Sequence, residues 1–119
     1  MVGLFKHPKR QIKKLLRDGE YDEAIAFGMS LESEYSEDHD FMFIMGSAFF
    51  IVDDAQRALP YFEKAFQLDD ADVETLTLKT NVHLALEQKD EALACCRYIV
   101  KLQPKNTEAQ ELLEKLESI

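Results

Sequence analysis

The sequence predicts an all-α protein built as a helical solenoid, and three observations lead to that fold class. The 119 residues include only four Gly and three Pro, while residues with high helix propensity are common. Ala24, Ala58 and Ala92 follow one another at a spacing of 34 residues, which is typical of stacked helical hairpins. The segment 41–52 is apolar around a whole helix, yet shorter than the roughly 20 residues that a membrane-spanning helix needs. The fold must therefore cover such a helix on several sides.

The charge is distributed unevenly along the chain. Residues 1–17 contain six Lys and Arg and no acidic residue, whereas residues 18–119 carry 23 acidic residues against eight basic ones. Such an acidic body is a poor ligand for nucleic-acid phosphates, so we expect no nucleic-acid partner. The hydrophobic share of 46% is ordinary for a globular protein, and the length suits one domain over residues 1–119.

Three features predict a cytoplasmic protein. Cys95 and Cys96 are adjacent, whereas a disulfide framework needs cysteines that are better separated. No Asn-x-Ser/Thr acceptor for glycosylation is present. The opening Met1–Phe5 lacks the apolar core of a secretory signal, and its charged residues follow the apolar ones.

The middle of the chain carries large, small and aromatic residues in a recurrent order, namely Met42, Met45, Gly46, Phe49, Ala58, Phe62 and Ala65. This order resembles the 34-residue unit of the tetratricopeptide repeat family. The resemblance implies a right-handed solenoid with repeats at 5–38, 39–72 and 73–106 and a capping helix at 107–119. The first repeat departs from the pattern, because Ile12 replaces a small residue and Gly28 stands where an aromatic residue is usual.

Capping residues and helix breakers predict where the helices begin and end. Pro8 suits the first position of a helix, Gly19 its end, and Asn106 or Thr107 the cap of the last helix. We expect seven helices, over about 8–17, 21–33, 40–52, 55–68, 71–87, 91–102 and 107–119.

The resemblance also implies a concave groove lined by the first helix of each repeat. Its expected residues are Lys9, Lys13, Phe43, Ile44, Ser47, Phe50, Ile51, Leu78, Asn81 and Leu84. We expect this groove to bind a protein or peptide through apolar side chains, with Lys9 and Lys13 next to an acidic flank of the partner. The family's clamp for a C-terminal carboxylate is absent, since Ile44, Glu74 and Leu78 occupy three of its five positions.

Other interpretations of the same surface stay open at this point. Neighbouring helices or the Met1–Phe5 segment could cover the apolar side chains internally. The chain could be a small chaperone that masks a hydrophobic segment of a client, or a scaffold that assembles into homo-oligomers. The basic first helix could simply face solvent, and a single such helix is a weak anchor for an anionic membrane.

Residue patterns for catalysis or metal binding are sparse, so we expect no enzyme activity and no cofactor. The acids of segment 69–74 lack the Gly and Glu of a calcium-binding loop and suit helix capping. Cys96 and His83 occupy aromatic positions of the repeat, where packing is the expected role. No Gly-rich phosphate-binding loop is present.

Overall fold

The structure, a computed structural model, describes residues 7–118, in which helices follow one another through short turns and no strand occurs. Seven α-helices are present there: α1 (Pro8–Arg17), α2 (Tyr21–Ser30), α3 (His39–Ile51), α4 (Ala55–Leu68), α5 (Val73–Ala85), α6 (Lys89–Leu102) and α7 (Thr107–Glu117). Most bounds lie within two residues of the predicted ones. The prediction for α2 was three residues too long, because the chain turns repeatedly between residues 31 and 37.

The helices stack in chain order into an array of 50 × 24 × 21 Å. Each helix packs on the next one, and α3 also contacts α1 and α5 directly. Within residues 7–118, no two even-numbered helices contact one another. The helices α1, α3 and α5 thus lie closer to one another than the even-numbered helices do. This arrangement confirms the predicted all-α helical repeat solenoid.

The 34-residue period also appears in the backbone of the turns inside each helix pair. Gly19, Asp53 and Glu87 are 34 residues apart and have φ angles of 79°, 64° and 59°. After each of them, an N–H donates back to the carbonyl five residues earlier, as Glu20 does to Leu15 at 2.8 Å. This bond is the signature of a Schellman ending. Only the first turn has the glycine that suits this conformation.

Replacing Glu87 with glycine is therefore expected to stabilise the protein by about 0.5–1 kcal/mol. A left-handed conformation costs a residue with a side chain about 1–2 kcal/mol, and the entropy lost by glycine on folding offsets part of the gain. Urea unfolding followed by circular dichroism measures the change. Gly19→Ala is the matched reverse variant and should destabilise; a Glu87→Gly protein less stable than the wild type would contradict this account.

The helix starts repeat with the same period. Asp38, Asp72 and Asn106, also 34 residues apart, are the N-caps of α3, α5 and α7. Asp38 accepts a hydrogen bond from the Phe41 N–H at 3.0 Å, which satisfies a free donor of the first turn. Asp72 accepts one from the Thr75 hydroxyl at 2.7 Å instead. The Asp38 side chain thus caps α3, whereas Asp72 occupies the N-cap position of α5 without accepting a bond from a backbone N–H.

In the core of the first and second repeats, large side chains fill the space beside a glycine. In the second repeat, Phe62 of α4 is fully buried, and a Cβ on Gly46 of α3 would lie 2.9 Å from its ring. The first repeat reverses this pair: Ile12 is fully buried, and a Cβ on Gly28 would overlap the Met45 Sδ. Met45 and Ile12 together therefore fill the space beside Gly28.

Candidate functional site

The predicted groove residues lie on three neighbouring helices, α1, α3 and α5. Two are on α1, five on α3 and three on α5: Lys9 and Lys13; Phe43, Ile44, Ser47, Phe50 and Ile51; Leu78, Asn81 and Leu84. We refer to the side formed by α1, α3 and α5 as the odd-helix face. All ten residues are on these helices, but their exposure differs.

Four large apolar side chains keep part of their surface in contact with solvent. Ile51 is 51% exposed, and Phe43, Phe50 and Leu78 are half-buried. The Phe43 ring packs edge-on against Phe62, with 6.0 Å between the ring centroids. One side of Phe43 is therefore held by the core while another side stays accessible. Leu84 is also half-buried.

Ile44 was predicted to line the groove, and the structure corrects this. Only 4% of Ile44 is exposed, and it belongs to the same buried cluster as Ile12. The reason is the direct contact between α1 and α3, which brings Leu15 and Leu16 of α1 against that cluster. Ile44 is thus a core residue and is not available to a partner.

The predicted polar groove residues also differ from one another. The Lys9 Nζ donates to Asp38 Oδ2 at 2.8 Å and lies 3.8 Å from Asp40 Oδ2, so its charge is already paired across α1 and α3. The hydrogen bond to Asp38 raises the pKa of the Lys9 amino group. Lys13 is exposed. The Ser47 hydroxyl donates to the Phe43 carbonyl at 2.8 Å, which uses its proton locally.

A cavity of about 540 Å³ opens at the end of the odd-helix face, between α5 and the start of α7. It is lined by Phe43, Val73, Glu74, Thr77, Leu78, Asn106 and Glu108. Phe43 and Leu78 were among the predicted groove residues, whereas Glu108 was not, because α7 was expected to act only as a capping helix. The apolar wall of this cavity and its two carboxylates therefore come from three helices, α3, α5 and α7.

A second cavity, of about 600 Å³, lies on the other side, between α2 and α4. Its apolar lining includes Met29, Met42 and Phe49. It opens where α2 ends early at Ser30, so that the outer side of α4 stays uncovered. The Tyr61 hydroxyl at its rim donates to Glu32, and burial together with this bond raises the pKa of Tyr61. The sequence analysis did not predict this cavity.

The chemically reactive side chains are used for packing. Cys96 is fully buried, its Sγ donates to the Ala109 carbonyl at 3.3 Å, and burial raises the pKa of both cysteine thiols. His83 is 5% exposed and donates from Nδ1 to Gln88 Oε1 at 2.8 Å. Among residues 7–118, no three His, Cys, Asp or Glu side chains are grouped so as to hold a metal ion.

In the described part of the chain, no helix is both long enough and apolar enough to cross a membrane.

Comparisons with known proteins agree with the repeat period. A sequence model of the tetratricopeptide repeat matches residues 51–116, which is more than half of the chain. Curated protein sequences yield no match.

Solved structures with the same fold include protein complexes. The first tetratricopeptide domain of Spaghetti (RPAP3), bound to an HSP90 peptide, is 22% identical, with a TM-score of 0.83 over 93% of this chain and 88% of that one. PcrH, in complex with the chaperone binding region of PopD, is 16% identical, with a TM-score of 0.85 over 99% and 94%. The Yersinia enterocolitica secretion chaperone SycD is 15% identical, with a TM-score of 0.77 over 95% and 78%.

Proposed function

Because this chain belongs to the tetratricopeptide repeat family, we propose that it is a non-enzymatic protein-interaction module that binds an apolar segment of a partner protein on its odd-helix face. The observation that carries the proposal is the partial exposure of Phe43, Phe50 and Leu78 beside the 51% exposed Ile51. A bound partner would bury the apolar surface that the fold leaves exposed to water. Domains of this family are generally protein-binding modules, which supports the proposal.

The free energy at stake favours a binding role for these side chains. Fully burying one large apolar side chain is worth about 1.5–3 kcal/mol, so covering only the exposed parts of these four would contribute roughly 2–4 kcal/mol in total. Contiguous apolar patches of a few hundred Å² on a monomer are typical of interaction sites. The complexes of Spaghetti with an HSP90 peptide and of PcrH with part of PopD are examples of peptide binding by this fold.

Affinity capture from a native lysate tests the proposal with the double variant Phe50→Ser, Leu78→Ser. The fold already buries part of both side chains, so each substitution removes only a fraction of the roughly 1.5–3 kcal/mol of a full burial, and capture of the main partner should weaken about tenfold. Ile44 is left unchanged because it is buried.

Met29→Ser is the matched control. Met29 is 49% exposed and lies on α2, away from the odd-helix face, so this variant should capture the same partner as the wild type. Equal capture by the wild type and the groove double variant, with both proteins folded by circular dichroism, would refute binding on the odd-helix face.

A small chaperone that masks a hydrophobic client segment is a second candidate. The structure of PcrH, solved with the chaperone binding region of another protein, has the same fold over 99% of this chain. A captured partner that stays soluble only when produced together with this chain would favour the chaperone role. A partner that is soluble alone would favour an adaptor.

Self-assembly is the third possibility, with the odd-helix face covered by a second copy or by Met1–Phe5, which lies outside the described residues. A mass that increases with concentration in light scattering, and that falls on deletion of residues 1–5, would favour it.

A further inference from the structure

We propose that the cavity between α5 and α7 binds a basic side chain of the partner together with an adjacent apolar one. This inference rests on the proposed function and specifies the partner's chemistry at one end of the odd-helix face. Its basis is the combination, in one cavity of about 540 Å³, of an apolar wall and two carboxylates.

The shape of the cavity follows from the helix packing. α3 contacts α5 directly, whereas α5 and α7 make no such contact within the described chain, and the space between them opens as the cavity. Phe43, Val73 and Leu78 form its apolar part, and all three are half-buried. A volume of this size is in the range of sites that take side chains or small ligands.

The two carboxylates give the cavity a negative charge. Glu74 and Glu108 are exposed, and within residues 7–118 neither forms an ion pair. Each lies in the first turn of its helix, where the helix dipole offers about +0.5 charge. Two full negative charges against two such half charges leave about one unit of negative charge at the cavity.

The cations nearest in the chain do not neutralise this charge inside the cavity. None of the seven lining residues is Lys or Arg, and Lys105, which precedes Asn106, is not among them. Lys and Arg have a long apolar stem below a charged head. Such a side chain can place its stem against Leu78 and Val73 while its head reaches Glu74 or Glu108.

The other end of the face lies at α1 and differs in its charged residues. On α1, Lys13 is exposed, whereas the charge of Lys9 is paired with Asp38. A bound segment with an acidic residue near α1 and a basic residue near α7 would match both ends. Reversing such a segment would bring its acidic residue to Glu74 and Glu108, so the carboxylates of the cavity favour one direction of a bound chain.

Selection from a phage-displayed library of random 12-residue peptides tests the inference. The wild-type protein should enrich peptides with Lys or Arg next to Leu, Ile, Met or Phe. The variant Glu74→Gln, Glu108→Gln keeps the shape of the cavity and removes its charge, so this enrichment should disappear. Glu111→Gln, Glu114→Gln is the control, because both residues are exposed on α7 and neither lines the cavity.

A synthetic copy of the most enriched peptide then gives the affinity by calorimetry at low salt. We expect about tenfold weaker binding to Glu74→Gln, Glu108→Gln, which corresponds to about 1.4 kcal/mol. Peptides that need Leu78 but show no preference for a basic residue, or that bind the Gln variant as tightly as the wild type, would overturn the inference and leave the proposed function standing. Failure to select any peptide that depends on Phe50 or Leu78 would count against the proposed function itself.

Discussion

Replacing Phe62 with alanine is expected to lower the free energy of unfolding by about 3–5 kcal/mol, the range for a buried aromatic residue. Phe62 is fully buried, its ring occupies the space left by Gly46, and Phe43 packs edge-on against it. The ring packs directly against Gly46, which has no side chain to move into the cavity that the ring would leave.

Urea unfolding monitored by circular dichroism at 222 nm measures this loss. Met29→Ala is the control, because Met29 is 49% exposed and should change stability by no more than about 0.5 kcal/mol. The Phe62→Ala variant should also weaken partner binding, because Phe43 loses its support. A stability loss for Phe62→Ala no larger than that of Met29→Ala would show that the ring is not a central part of the core.

Introducing phenylalanine at Gly28 is expected to destabilise the protein by about 3 kcal/mol or more, although it brings the first repeat closer to the family pattern. The first atom of the new side chain would overlap Met45 Sδ, and its next neighbours are Met45 Cε at 2.9 Å and the Ile12 Cδ1 methyl group at 3.6 Å. Both residues are fully buried and cannot move into solvent. Forcing extra volume into a packed core typically costs about 1–3 kcal/mol, and a whole ring exceeds that case.

The double variant Gly28→Phe, Ile12→Ala tests whether Ile12 contributes to the crowding that destabilises Gly28→Phe. If Ile12 holds the volume that an aromatic ring holds in the second repeat, the double variant should be more stable than the sum of the two single losses predicts. Additive losses would mean that the two positions do not share this space. A Gly28→Phe protein as stable as the wild type would contradict the volume exchange altogether.

The sequence alone determined the architecture of this protein, since its signals are local. The 34-residue period, the breaker Gly19 and the acids around residues 38 and 72 mark where helices begin and end, and α4 spans the predicted residues 55–68. A cap or a turn depends on residues within one or two helical turns, so its position can be predicted without knowing the rest of the fold. The family and the all-α solenoid were predicted from these signals and are confirmed.

Exposure at the odd-helix face was decided only by the tertiary structure. Periodicity places Ile44 and Phe50 on one side of α3, yet the contact with α1 buries Ile44 and leaves Phe50 partly open. Likewise, the local sequence around Lys9 contains no partner for its charge. Its ion pair with Asp38 forms because α3 begins beside α1. Both outcomes follow from contacts between helices about 30 residues apart in the chain, which a local pattern does not encode. For the same reason, only the position of α7, which packs on α6 and leaves a gap to α5, revealed that Glu74 and Glu108 line one cavity.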